Sequence, residues 1–251
     1  MAPWWGTVRA MSARKETTSY SHTAPDSGRL PKEVERLFLQ PWLVGLDRRA
    51  ILELAAISSH RQYQAQEIIR PPGGTDPAVF VVVAGALRLY GLSNKGREIT
   101  LELARAPTVF GLWFINPAIP SSYFVSALED GTTIFHVDYD TYFAWLGRHP
   151  KAAVEALRLV SYRLSMARDR LADFALYDVK TRLAHTVAQL ALRNGSALRM
   201  THEELASLIG ARQEEVTRAL RYFRELGLIA YRPHQRGFQV VEIAQLSRFG
   251  L

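Results

Sequence analysis

The sequence predicts an α+β chain in three parts: an antiparallel β-roll, a long helix that pairs with a second copy, and a winged helix-turn-helix. Three observations predict it. Between Gln66 and Val137, short β-rich runs follow one another at near-regular spacing, divided by turn residues. From Lys151 to Asp178 there is neither Gly nor Pro, and apolar residues recur every seven positions. From Thr201 to Phe223, a capped helix, a glycine and a second amphipathic helix follow in immediate succession. The predicted domains are a disordered tail over 1–28, a roll over 29–150, a long pairing helix over 151–178 and a winged helix-turn-helix module over 179–251.

Residues 1–28 mix Ser, Thr, Gly, Pro and basic residues with no apolar period, which predicts disorder. Leu30–Leu39 and Asp47–Ala56 read as short helices, broken at Pro41 and Gly45. The strand runs are Glu67–Ile69, Val79–Val83, Leu87–Tyr90, Glu98–Leu103, Phe124–Ala127 and Thr133–Val137. Turns are marked at Pro71-Pro72-Gly73-Gly74, Ser93-Asn94-Lys95-Gly96, Asn116-Pro117 and Asp130-Gly131. Many short strands without intervening helices argue for a roll and against a βαβ sheet. A helical period returns near Tyr139.

In the long helix Leu157, Leu164 and Leu171 fall seven apart and the series ends at Asp178, while Val160, Ala167 and Phe174 form a second set. The predicted dimer seam is Leu157, Val160, Leu164, Leu171 and Phe174. A single helix lying on a domain surface shows a similar stripe. Arg158, Arg163, Arg168 and Arg170 lie off the seam, as a solvated face would.

Composition narrows the function. Of 251 residues, 48% are apolar and 22% charged, enough for a packed core. Cysteine is absent, which removes disulfides, thiolate zinc sites, cysteine-held iron–sulfur clusters and a cysteine nucleophile. His60, His136 and His149 have no metal-motif spacing and read as structural or exposed. The longest nearly uncharged apolar run, Pro77–Leu87, is too short to cross a bilayer, and no secretory signal is evident, so a cytoplasmic, non-membrane protein is expected. The formal net charge is +7. Positions 179–251 hold 11 basic against 6 acidic residues, so the excess sits at the C-terminal end and suits an acidic partner such as double-stranded DNA. No G-x-S-x-G, H-E-x-x-H or P-loop is present, and Glu203-Glu204 and Glu214-Glu215 sit where capping explains them, so no enzyme is expected.

Thr201 with Glu204 three residues later is a capping box that starts a helix with Leu205, Leu208 and Ile209 on its apolar face. Ala206 is small where a second helix crosses closely, and Gly210 supplies the left-handed backbone of the turn. Val216, Leu220 and Phe223 form the buried stripe of the next helix, while Glu214, Thr217, Arg218 and Arg221 face away. An ordinary helical hairpin explains the stripes and the glycine. It does not explain an outward row of base-reading residue types. Leu228–Tyr231 and Phe238–Val241 flank Arg232-Pro233-His234-Gln235-Arg236-Gly237, a hairpin with a basic tip suited to phosphates.

Roll, seam helix and winged helix-turn-helix in this order resemble the cyclic AMP receptor protein and fumarate–nitrate reductase regulator family over about residues 30–245. Gly85-Ala86-Leu87-Arg88-Leu89-Tyr90 and Gly96-Arg97-Glu98 resemble its roll strands, a cyclic-nucleotide-binding-like jelly roll. Phe110-Gly111 followed by Ser122–Asp130 resembles its phosphate cassette. Tyr177-Asp178-Val179-Lys180-Thr181-Arg182-Leu183-Ala184 resembles its interdomain junction. The resemblance implies a homodimeric transcription regulator on pseudo-palindromic sites, with RNA polymerase as a further partner. It makes Gln213, Glu214, Thr217 and Arg218 base readers, and Arg212, Arg221, Arg232 and Arg236 phosphate contacts. Gln213 stands where many members carry Arg, and Arg212 where a Ser cap is usual.

The effector pocket that the resemblance implies comprises Gly111, Leu112, Trp113, Ser121, Ser122, Ala167 and Arg168. Cyclic-nucleotide binders of the family carry Glu for the ribose and Arg for the phosphate at the positions of Leu112 and Ser121. An anionic phosphate there would lose its charge partner, which makes cyclic AMP improbable. Trp113, Phe114, Tyr123 and Phe124 instead suggest a filled or apolar roll requiring no cofactor, with haem or a small apolar effector as the other reading. Two rivals stand beside the regulator: a ligand-binding roll acting mainly through protein contacts, and a non-specific nucleic-acid binder.

Overall fold

The computed structural model describes residues 31–43, 45–73, 78–112, 123–231 and 237–250. The expected tail over 1–28 lies outside the described residues.

Two short helices lead in: α1 (Lys32–Leu37), with Pro31 at its N-cap, and α2 (Arg48–Ala56), capped by Asp47, which accepts from Ala50 N at 2.7 Å. A 3₁₀ turn at Pro41–Leu43 lies between them. The roll follows as β1 (Ser59–Tyr63), β2 (Ile68–Arg70), β3 (Ala78–Ala84), β4 (Ala86–Leu92), β5 (Glu98–Arg105), β6 (Thr108–Phe110), β7 (Phe124–Ala127) and β8 (Thr132–Asp138). One sheet runs β1-β8-β3-β6, the other β2-β7-β4-β5, and their pairings are antiparallel. The β1 and β6 strands were not among the expected runs. In β1, Ser59–Tyr63 reads Ser-His-Arg-Gln-Tyr, with only Tyr63 buried, so no apolar alternation marks it.

Val79, Val81 and Val82 of β3 are completely buried, and Phe110, Phe135, Tyr142 and Trp145 complete the roll core. His136 on β8 lies within this core, 2.8 Å from the Tyr63 hydroxyl and edge-on to Phe80. Burial pulls its imidazole down from 6.5 to about 4, which favours the neutral form. His149, at the junction of α3 (Tyr139–Arg148) and α4 (Pro150–Leu176), sits 3.0 Å from Glu53.

The long helix ends before the expected boundary. Asp178 is not its last seam residue; it caps the next helix, α5 (Val179–Asn194), accepting from Thr181 N at 2.8 Å. That hydrogen bond holds the Asp178 carboxyl below the usual carboxylate range. α5 doubles back along α4. His185 Nδ1 lies 3.2 Å from Asp173 Oδ1, and Arg193 reaches the Met166 sulfur and lies 5.3 Å over the Tyr162 ring.

This fold-back sorts the expected seam. Leu157, Leu164 and Leu171 are 66%, 50% and 70% exposed, an unpartnered apolar ridge on the protomer. Val160 is instead half-buried against the roll core. Phe174 is 39% exposed, but it also has contacts within the protomer: Arg182 lies 4.9 Å over its ring, and the ring packs on the turn at Gly210. The arginines also divide. Arg158 and Arg168 are exposed, but Arg163 and Arg170 turn toward the roll and are not a solvated face. Arg163 Nε lies 2.9 Å from Glu102 Oε1 and Arg163 Nη2 donates to Thr108 Oγ1 at 2.9 Å, while Arg170 Nη1 donates to the Leu101 carbonyl at 2.6 Å. Burial raises the Glu102 carboxyl despite the neighbouring guanidinium groups of Arg163, Arg170 and Arg193.

The C-terminal module packs a second core around Leu183, Leu205, Val216, Leu220 and Phe223. Its elements after α5 are β9 (Ala197–Leu198), α6 (His202–Ile209), α7 (Gln213–Glu225), β10 (Ile229–Ala230), β11 (Phe238–Val240) and α8 (Ile243–Ser247). The β10-β11-β9 sheet makes the wing base, with strands one or two residues shorter than expected. Gly237 is obligatory there: its φ is +90°, and a Cβ would stand 2.0 Å from the Leu198 carbonyl oxygen.

Candidate nucleic-acid interface

The interface starts from the two caps. Thr201 Oγ1 accepts from Glu204 N at 3.1 Å and Glu204 Oε2 from Thr201 N at 2.6 Å, so the expected capping box opens α6. Gly210 ends α6 in the left-handed conformation, φ 61° and ψ 37°. A Cβ there would lie 2.8 Å from the Phe174 ring, so close packing as well as backbone angle demands glycine. At the start of α7 the Arg212 side chain makes no cap; Glu215 Oε2 accepts from Arg212 N at 2.8 Å instead. Glu214 and Glu215 in the first turn complement the positive end of the helix.

Val216, Ala219, Leu220 and Phe223 bury one face of α7, which leaves the other outside. Gln213, Glu214, Thr217 and Arg218 line one shallow, open hollow on that outer face. Arg212 and Arg221 are exposed beside it. Glu214 and Arg218 are one turn apart, yet among the described residues neither is held in an ion pair, so both present their hydrogen-bonding groups outward. Thr217 differs from its neighbours. It is half-buried, its Oγ1 donates to the Gln213 carbonyl at 2.9 Å, and His202 Nδ1 lies 2.8 Å away. Arg232 and Arg236, expected on phosphates, lie outside the described residues.

The expected effector pocket is brought together only in part. Gly111 and Leu112 are buried, and the Tyr139 hydroxyl donates to the Gly111 carbonyl. Trp113, Ser121 and Ser122 lie outside the described residues. Ala167 and Arg168 are exposed on α4, whereas Arg163 and Arg170, one turn to either side of Ala167, reach the roll. Sequence reasoning missed this inward pair. Its signal was Glu102, a carboxylate in the interior of a strand run, with two arginines seven apart on the facing helix. Among the described residues no group of three His, Asp or Glu side chains is placed to hold a metal ion, and no helix is long and apolar enough to cross a membrane.

The module is also fastened to the roll. Thr100 Oγ1 on β5 is 2.8 Å from Ser207 Oγ on α6, Arg97 donates to the Gly210 carbonyl, and Leu103 packs against the C-terminal core. The α6 helix and the Gly210 turn thus rest on the β4–β5 hairpin.

Known proteins match on both halves. The family model for a cyclic nucleotide-binding domain matches residues 60–149, and that for a Crp-like helix-turn-helix domain matches residues 181–249. A CRP-like cAMP-activated global transcriptional regulator of Mycobacterium tuberculosis is 27% identical over 193 residues, covering 74% of this chain and 86% of that protein. The global nitrogen regulator of Synechococcus elongatus is 27% identical over 196 residues, covering 74% and 87%. Among solved structures, the c-di-GMP responsive global regulator CLP of Xanthomonas campestris shares the fold, with a TM-score of 0.67 at 18% identity over 77% of this chain and 99% of that one. With both domains matched in the expected order, the chain belongs to the CRP/FNR family of DNA-binding transcription regulators.

Proposed function

We propose that this regulator, acting as a homodimer, reads a pseudo-palindromic duplex with Gln213, Glu214, Thr217 and Arg218 of each α7, without cyclic AMP in the usual pose. The observation that carries the base-reading assignment is the open hollow those four residues line, with Glu214 and Arg218 unengaged by ion pairs among the described residues. Arg218 suits the O6 and N7 acceptors of a guanine, Glu214 the N4 amino group of a cytosine, and Gln213 an adenine. Arg212 and Arg221, beside the hollow, suit phosphates, as do Arg232 and Arg236 of the wing tip. The exposed Leu157, Leu164 and Leu171 ridge supports pairing through α4. Two modules would then enter major grooves about one helical turn apart. RNA polymerase is the partner this role implies, and the cytoplasm the compartment where it meets DNA.

The relatives carry names with different signals, so the family alone assigns none. Leu112 offers a ribose no hydrogen bond, and the roll already holds an internal carboxylate, Glu102, paired with Arg163. Both features weigh against a cyclic nucleotide. A gel shift with a palindromic duplex and its scrambled counterpart tests the whole reading. Selective retardation of the palindrome supports it; equal retardation indicates a non-specific binder, and none indicates a roll protein acting through protein contacts. Calorimetry with millimolar cyclic AMP should show no saturable heat and leave operator affinity unchanged; a micromolar dissociation constant overturns that part.

A further inference from the structure

We infer that Thr217 reads the C5 methyl group of a thymine with its own methyl group, and that His202 is the positioning residue that commits it to this role. The inference rests on the base-reading assignment of α7 and deepens it at one position. Thr217 stands between Gln213 and Arg218 in the lining of the hollow, flanked by groups that hydrogen-bond to base edges. Its hydroxyl has one proton to give. That proton goes to the Gln213 carbonyl, one turn earlier in the same helix, at 2.9 Å. The same oxygen lies 2.8 Å from Nδ1 of His202, the first residue of α6, and with the proton on Gln213 this contact is an Nδ1–H donation from the imidazole. In the other tautomer the hydroxyl proton goes to His202. Either way it stays within the protein.

The consequence for recognition is chemical. A thymine shows the major groove an O4 acceptor and a methyl group, and a guanine shows two acceptors. Thr217 has no proton left for any of these. With Oγ1 engaged by Gln213 and His202, we assign the part of Thr217 in lining the hollow to Cγ2, an apolar group beside the polar side chains of Gln213, Glu214 and Arg218. Among the four base pairs, the group that such a point complements is the C5 methyl of thymine.

The test uses the full-length chain and an operator obtained by selection from randomised duplexes. Each thymine of a half-site is replaced in turn by uracil, which removes only the methyl group, and binding is followed by fluorescence anisotropy. For the wild type, one thymine should be sensitive, losing about fourfold in affinity, the scale of one buried methyl group. Thr217→Ser keeps the hydroxyl and drops the methyl, so its thymine-to-uracil ratio at that position should fall to one. Thr217→Val keeps a methyl at the same place and should keep the ratio. His202→Ala removes the Nδ1 contact but leaves the bond to the Gln213 carbonyl, so it should weaken the ratio by loosening the Thr217 rotamer. The inference is overturned if no thymine responds to uracil, or if the responsive one still responds in Thr217→Ser. It is also overturned if Ser preserves the wild-type preference and Val abolishes it, since the hydroxyl is then the reader. Arg218→Ala separates the two levels. If it relaxes one guanine position while Thr217 variants change nothing, the methyl assignment alone fails. If no variant of Glu214, Thr217 or Arg218 alters sequence preference, the base-reading assignment fails with it.

Discussion

Replacing Arg163 with Met would take a guanidinium out of the roll while keeping a stem of similar length. The Arg163 Nε contact with Glu102 at 2.9 Å would go, as would the 2.9 Å hydrogen bond to Thr108 and the cation–ring contact 5.6 Å from the Phe110 centroid. The two charged side chains are only 13% and 25% exposed. Breaking a fully buried pair by removing one partner costs about 3–5 kcal/mol. Glu102 keeps some contact with water and the field of Arg170, so about 2–3 kcal/mol is expected here. The pH dependence has a definite sign. Burial already raises the Glu102 carboxyl, and loss of Arg163 raises it further, so the folded variant holds that proton more tightly than the unfolded chain. The deficit is therefore largest where Glu102 is ionised and shrinks as acid protonates it. Guanidinium unfolding of wild type and Arg163→Met at about pH 7 and about pH 5 measures this. The double variant Arg163→Met/Glu102→Gln should recover most of the loss, because no unpaired charge remains. A deficit below about 1 kcal/mol, one that does not change with pH, or a double variant as unstable as the single would refute the argument.

Leu164→Glu would set two like charges across the two-fold axis of an α4 pair, and sedimentation should then show monomer; an unchanged dimer mass places the interface elsewhere. Arg218→Ala should cost about 1–3 kcal/mol on the selected site and relax one guanine position, whereas Arg236→Ala should weaken all sequences alike and lower the salt slope by about one unit. A uniform loss for Arg218→Ala would make that residue a phosphate contact. His136 is neutral in the fold down to about 4 but protonates near 6.5 when unfolded, so stability should fall by about 3 kcal/mol as pH drops across that window. His136→Gln should flatten the decline, as followed by thermal unfolding; an equally steep decline in the variant assigns the acid sensitivity to other groups.

The three-part architecture and the α7 face were legible because each rests on a local period or a cap. Leu157, Leu164 and Leu171 are exposed in the protomer as the heptad requires, and Val216, Leu220 and Phe223 are buried as the other stripe requires. The heptad register could not show the second set of contacts at Phe174, since nothing local says that α5 folds back and brings the Gly210 turn against that ring. Arg163 and Arg170 looked like Arg158 and Arg168 for a related reason. A helix periodicity separates faces, but a guanidinium turned inward is recognised only once Glu102 and the Leu101 carbonyl stand opposite. The α5 helix carries Leu183, Val187 and Ala191 four apart, a stripe the sequence reading did not use. At Thr217 residue type suggested an outward hydroxyl, and the two bonds that engage it depend on how α6 crosses α7.

The fastening of the DNA-binding module to the β4–β5 hairpin sets a ceiling on regulation. It consists of the Thr100–Ser207 bond, the Arg97–Gly210 bond and the packing of Leu103. A signal arriving at the roll changes DNA affinity only by the difference it makes between the docked and released arrangements. With hydrogen bonds of ordinary net strength, undoing both polar contacts is worth about 1–3 kcal/mol. Through these two bonds alone, before the packing of Leu103 is counted, the dynamic range of a switch is about 5- to 150-fold in operator affinity. A larger response would require α4 pairing to change at the same time, which would make the response depend on protein concentration as well as on the signal.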